Sequence, residues 1–439
     1  MMVMKDCENR TEALLQFIEE SPSVFHAVES IKKRLLSAGY MELSEACEWE
    51  LSPGGRYFVT RNDSSIAAFA IPEDNKQEEE KNSLGGVKGF HIAAAHSDSP
   101  SFKIKENPEM KTDGQYVRLN TEKYGGMIMS TWLDRTLSVA GRVVCRQDGE
   151  LVSRLVNVDR DMLVIPNLAI HMNRDMNQGV EYNAQSDMLP LYGEADGEKG
   201  FMETIAEAAG VEPEDILAHD LFLYVREKGK VIGGSGEFIL APRLDDLQCA
   251  FAAATAMIES TPKDYINLCV VFDNEEIGSS TRQGADSTFL VDVMARIQEA
   301  FGKPDGWLRQ KIADSFLISA DNAHAIHPNH PEKADPVNKP VLNGGIVMKY
   351  HGSQRYATDA LTAAGIKELC READVPVQIY TNRSDIAGGL TLGNISVNHV
   401  SVPTADIGLP QLAMHSALET AGNRDTAYAV RMFKTFYGK

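Results

Sequence analysis

The sequence predicts an α/β protein: a domain with a central mixed sheet flanked by helices, split by an inserted β-rich module. Three observations predict it. After Glu237, apolar strand-like runs alternate with helical patterns. Short alternating segments, parted by Gly, Asp and Asn turns, fill the middle of the chain. Finally, 439 residues are enough for two to three domains with a large core.

The opening reads as helix. Ser21-Pro22-Ser23 supplies a start signal, and Val24, Val28, Ile31 and Leu35 recur at helical spacing until Gly39 ends the run. Strand-like pieces follow at 57–60, 65–71 and 91–95. Between the last two, 72–86 carries Glu78-Glu79-Glu80-Lys81 and reads as an exposed loop. From about 102 to 231, segments such as 116–119, 138–144 and 221–225 alternate as half-buried strands do. Strand 238–240, helix 247–259, strand 266–272, a helix near 291–301 and strand 316–319 then build a largely buried sheet. The expected division is 1–100 and 237–439 for the α/β domain, with 101–236 as the insertion.

Hydrophobic residues are 43% and charged residues 24%, the mix of a soluble globular protein, which excludes disorder and collagen-like architectures. No apolar run approaches the roughly eighteen residues of a membrane span. The first ten residues carry charges and no apolar signal core, so no membrane partner and a cytoplasmic location are expected. With 43 basic against 63 acidic residues the formal net charge is −20, a field that repels phosphate backbones and argues against nucleic acid. Six cysteines show no CxxC spacing and suit reduced thiols. A metal bound here must therefore use histidine and carboxylates.

Three strand-like runs end in such groups: 91–95 runs into His96-Ser97-Asp98, 266–272 into Asp273-Asn274-Glu275-Glu276, and 316–320 into Asp321. In open α/β sheets the working crevice lies beyond the carboxyl ends of the strands. Arg243-Leu244-Asp245-Asp246 precedes an apolar-periodic helix, where an Asp could equally be an N-cap. His415 follows the Gly408-Leu409-Pro410 turn. As a set, His96, Asp245, Glu276, Asp321 and His415 match what two adjacent zinc-like ions need, with one carboxylate bridging. Two dications against three carboxylates and one hydroxide leave a neutral site that can be buried. Neighbouring glutamates in an extended segment point different ways, so one can coordinate while the other takes the proton of an attacking water. Asp98 is placed to orient His96 through its free ring nitrogen.

In order and spacing these stretches resemble the aspartyl aminopeptidase family of dinuclear metallopeptidases, over essentially the whole chain. Ser21-Pro22-Ser23-Val24-Phe25-His26, Ile165-Pro166-Asn167-Leu168-Ala169-Ile170-His171, Ser319-Ala320-Asp321-Asn322-Ala323-His324 and Leu412-Ala413-Met414-His415-Ser416 belong to the match with the motifs above. The resemblance implies that His96, Asp245, Glu276, Asp321 and His415 bind two divalent ions, most simply Zn2+, with Co2+ or Mn2+ acceptable, and that Asp245 bridges. It implies Glu275 as general base, Asp98 as support for the first histidine, and His171 as a donor to the oxyanion in a neighbouring subunit's site. Lys349 falls where the family faces the substrate's first side chain, implying a preference for N-terminal Asp or Glu, with a surface lysine ending a strand as the even alternative. It further implies short peptide substrates and a homo-oligomer, with the insertion as dimerisation domain and a dodecameric shell. His324, His327 and His330 form an HxxHxxH run, which Pro328 keeps off one helix and which reads as hydrogen bonding or subunit contact.

Two other functions share these residues. A di-metal deacylase or carboxypeptidase-like amidohydrolase would not require a free α-amine, and an assembly or cargo protein would not require metal.

Overall fold

The computed structural model describes residues 2–73, 84, 86–389 and 391–439. Most of the expected 72–86 loop lies outside them. The central sheet runs in the spatial order Met41–Leu43, Arg56–Arg61, Ser65–Ala70, Tyr265–Phe272, Gly89–His96, Phe316–Ala320, Thr404–Gly408, Ile346–Tyr350 and Val377–Thr381. It is mixed. Tyr265–Phe272, Gly89–His96 and Phe316–Ala320 are adjacent and parallel, while Ser65–Ala70 and Ile346–Tyr350 run against their inner neighbours.

These middle strands are buried on both faces, and so read as continuous apolar runs. Alternate side chains point opposite ways: Ala93, Ala95, Cys269 and Val271 enter one core, Ile92, Ala94, Leu268 and Val270 the other. Helices Met2–Glu20, Val24–Ser37, Leu244–Ile258, Ala360–Glu372 and Asp425–Tyr437 cover the first face. Phe289–Ala300, Trp307–Ala313 and Leu392–Ser396 cover the second. The opening is two helices, and the expected start signal begins the second of them: Ser23 is extended, with Val24 the first helical residue.

A six-stranded antiparallel sheet lies between the first and second passes of the chain through the central sheet. Its order is Glu150–Asn157, Leu137–Gln147, Ile216–Val225, Ser101–Thr112, Tyr116–Tyr124 and Leu191–Glu194. It has its own core, where Phe102 and Trp132 meet edge to face, ring centres 5.4 Å apart at 90°, beside Val139 and Leu221. The predicted segments 116–119, 138–144 and 221–225 lie inside three of these strands; the long strand Ser101–Thr112 and the helix Phe201–Ala209 have no counterpart in the sequence reading.

A smaller sheet joins the parts. In it Phe238–Ala241 pairs antiparallel with Glu419–Gly422, placing Ala241 opposite Glu419. This register sets the C-terminal segment beside the start of helix Leu244–Ile258. Among the described residues no helix is long and apolar enough to cross a membrane.

Candidate metal centre

His96, Asp321 and the Glu275–Glu276 pair lie at or just beyond the carboxyl ends of the three middle strands, because those strands are parallel and in register, with Phe272 opposite His96. Asp245 arrives from the first turn of helix Leu244–Ile258, and His415 from the loop after Pro410–Leu412. The five residues meet. His96, Asp245 and Asp321 offer ligand atoms within 4.8 Å of one another, and so do Asp245, Glu276 and His415, and also His96, Glu275 and Glu276. Asp245 links the first two groups, which together contain all five expected ligands.

The contacts fit that sharing. Nε2 of His96 lies 3.7 Å from Asp245 Oδ1, and Nε2 of His415 lies 3.4 Å from Asp245 Oδ2 and 3.2 Å from Glu276 Oε2. Each imidazole is fixed by its other nitrogen. Nδ1 of His96 is 3.0 Å from the Asp98 carbonyl oxygen and 3.3 Å from its carboxylate; Nδ1 of His415 is 2.9 Å from the Gly126 carbonyl. That leaves both Nε2 atoms turned inward as donors to a cation.

Local backbone explains the aim. Asp245 departs from helical geometry (φ −82°, ψ 110°), and Arg243, not Asp245, holds the N-cap position without a side-chain cap bond. Asp245 is therefore no cap. Glu275 and Glu276 sit in a short 3₁₀ turn, Glu275–Ile277, entered through Asn274 at φ 62°, and not in an extended segment. Gly125 approaches this turn so closely, at φ 76°, that a Cβ there would lie 3.1 Å from the Glu276 Cβ.

The electrostatics call for cations. Burial pushes the Glu275 carboxyl well above its ordinary value, and Glu276 up to about 7. Burial raises Asp321 as well. Burial opposes protonation of His415, yet its bonds to Asp245 and Glu276 push it up to about 11. Buried acidic oxygens converging in this number favour a compensating positive charge among them. Asp245 Oδ1 and Glu276 Oε1 are buried without a hydrogen-bond partner. Two imidazoles, three carboxylates and orphaned inward oxygens are a donor set suited to zinc.

A family model for "Aminopeptidase I zinc metalloprotease (M18)" matches residues 17–437. The chain belongs to the M18 aminopeptidase family. "Probable M18 family aminopeptidase 2" of Clostridium acetobutylicum is 44% identical over 440 residues, covering 99% of this chain and 100% of that one. Among solved structures, Ape4 in its complex with Nbr1 superposes with a TM-score of 0.93 at 35% identity, covering 98% of this chain and 86% of that chain. The S. cerevisiae mApe1 dodecamer gives 0.84 at 29% identity, covering 97% and 96%. An M18 aminopeptidase is a zinc metalloprotease, a hydrolase of peptide bonds.

In this M18 aminopeptidase, Lys349 is 3% exposed, so it is not the surface lysine of the alternative reading. Its Nζ lies 3.6 Å from Asp321 Oδ1 and 5.7 Å from the Tyr356 ring centre. Burial would lower the ammonium, but Asp321, Tyr356 and Asp406 together raise it. With Glu275, Asp321, His324 and His415 it lines a cavity of about 300 Å³. His171 is not brought to this cluster; it is exposed on a loop whose base is pinned by Asn167 donating to Asp134 at 2.9 and 2.7 Å. Of the histidine run, His324 faces the cavity from a short strand, while the His327 and His330 rings lie tilted against each other at 37°, centres 5.2 Å apart.

The Asp98 carboxylate does more than the sequence suggested. It accepts the backbone N–H of Glu275 and of Glu276, each at 3.1 Å, and the hydroxyl of Tyr124 at 2.7 Å. Sequence reasoning missed Tyr124, Asp246 and Glu419. Asp246 accepts the His96 N–H at 3.2 Å, and Glu419 accepts those of Asp245 at 3.0 Å and His415 at 2.7 Å. A glutamate amid Ala417-Leu418 and Thr420-Ala421-Gly422 is the one signal that could have found the last.

Proposed function

We propose that this aminopeptidase works through a pair of divalent ions, one held by His96, Asp245 and Asp321, the other by Asp245, Glu276 and His415. The observation that carries this reading is the membership of Asp245 in both ligand groups. Bound there, the pair supplies Lewis-acid activation of water and of the scissile carbonyl. Zinc is the family's metal; the donor set also accepts cobalt or manganese.

Glu275 lines the cavity and Glu276 does not, which supports a division of labour between them. Glu275 takes the proton of the attacking water and passes it to the departing amine. Asp98 orients His96 and clamps the turn that aims Glu275. Lys349 faces the side chain of the N-terminal residue and favours Asp or Glu there.

His171 serves a neighbouring subunit, donating to the tetrahedral oxyanion. In support, its loop exposes Leu168, Ile170 and Met172, the last at 75%, an apolar surface that a partner would cover. We assign dimerisation to the insertion, 101–236, and the catalytic role to 1–100 and 237–439. A homo-oligomer, dodecameric as in mApe1, would admit short peptides to enclosed sites. All six cysteines are free, which suits a reducing cytoplasm.

The test is metal content together with amine dependence. Reconstitution of metal-stripped protein should give two zinc ions per chain, and N-acetylation of a peptide should abolish its cleavage. One ion per chain at full activity rejects the paired site, and equal cleavage of the acetylated peptide returns the deacylase reading.

A further inference from the structure

Three buried carboxylates outside the proposed ligand set hold the backbone of residues within it. Asp98 serves the Glu275–Glu276 turn, Asp246 serves His96, and Glu419 serves Asp245 and His415 together. Glu419 holds Asp245, 174 positions away in sequence, with one oxygen and His415, in its own loop, with the other. It is 2% exposed.

Both N–H groups it accepts come from irregular backbone. Asp245 is extended inside the first turn of a helix, and His415 lies at φ 67°, a conformation residues with a Cβ rarely adopt. Such groups need a buried acceptor from elsewhere. Glu419 is fixed for the task by its strand, since it pairs opposite Ala241, four residues before Asp245. Only a carboxylate has two acceptor oxygens and no donor; glutamine in its place would turn an NH2 toward one of the N–H groups. The His415 ring is held separately by Gly126, so Glu419 governs the placement of the residue and Gly126 the rotation of its ring.

We propose that Glu419 is a positioning residue: it sets the separation of Asp245 and His415 and thereby the affinity of the metal position they share with Glu276, while the position of His96 and Asp321 changes less. This rests on the two-ion reading above. Outer partners of metal ligands typically carry about 10–100-fold in metal affinity.

The experiment uses the full metal-stripped chain, titrated with zinc against a chelating competitor, with circular dichroism and thermal melting of the metal-free forms. Glu419→Gln should weaken one zinc about 10–100-fold and the other, which shares only Asp245 with it, by a smaller factor. Glu419→Asp keeps the charge but is one methylene short of spanning both N–H groups, and should show the same selective loss. His415→Ala should weaken the same position, and combining it with Glu419→Gln should cost less there than the two losses added together. If the wild type binds a single zinc, the two-ion reading falls. If the wild type binds two and Glu419→Gln binds both as tightly, only the assignment of Glu419 falls. An aspartate variant with wild-type affinities overturns it too, because charge and not reach would then matter. Failure of both variants to fold makes Glu419 a residue of the fold and overturns the assignment.

Discussion

Replacing Lys349 with methionine removes a charge while keeping length and apolar volume, and so isolates what the ammonium does for an acidic substrate. The lysine is buried and already paired, its Nζ 3.6 Å from Asp321 Oδ1. Two unit charges about 4 Å apart interact by about 4 kcal/mol at an effective dielectric near 20. A substrate carboxylate must share this cation with Asp321, so the smaller worth of a charge-assisted hydrogen bond, about 1.5–3 kcal/mol, is the better guide. That corresponds to roughly 10–150-fold in kcat/KM for a glutamyl over a leucyl anilide. Because Asp321 is also a proposed zinc ligand, Lys349→Met changes absolute rates through the metal. The informative quantity is the glutamyl-to-leucyl ratio at saturating zinc, which cancels effects common to both substrates. We expect that ratio to fall at least about tenfold, whatever the change in rate common to both substrates. A wild-type preference for leucyl, or a ratio that the substitution leaves unchanged, refutes the acidic pocket.

Glu275→Gln is nearly isosteric and should retain its zinc while kcat falls about 10²–10⁴-fold; near-normal turnover at full metal content removes the base from Glu275. His171→Ala and Glu275→Gln should each be inactive alone, yet regain activity when co-refolded, because a mixed pair contains one site with both residues intact. No recovery in verified mixed oligomers excludes action between subunits. His91 is buried, stacked on Tyr265 at 3.7 Å and Phe436 at 4.3 Å between ring centres, and burial lowers its pKa from 6.5 to about 4. The unfolded chain then takes up this proton below pH 6.5 while the fold refuses it until about 4, so stability is full above 6.5 and declines across that window as pH falls. His91→Phe should flatten the decline by roughly 3 kcal/mol between these limits, read from urea midpoints at several pH values; an unchanged slope assigns the acid sensitivity elsewhere.

What the sequence makes legible depends on how many residue types can do each job. The three ligand-bearing strands stood out because a parallel strand buried on both faces is apolar along most of its length, as Gly89–His96 and Tyr265–Phe272 are apart from His91, His96 and Asn267. The strand Ser101–Thr112 did not, since its outer half carries Glu106, Glu109 and Lys111 and loses the alternation. Asp245 read alone suited an N-cap, and only its company with two histidines and two carboxylates suggested otherwise. The backbone that turns it away from the helix has no mark in residue type. The same holds for the 3₁₀ turn at Glu275, where an extended segment was expected. Metal contact restricts the choice to a few side chains, so those positions can be picked out from composition and spacing. Holding a backbone N–H requires only an acceptor at the right distance, which any of many residues could supply from anywhere in the chain. Asp246 is therefore visible only in three dimensions, and Glu419 shows in the sequence only as a charge in an apolar stretch, although the placement of His96, Asp245 and His415 runs through them.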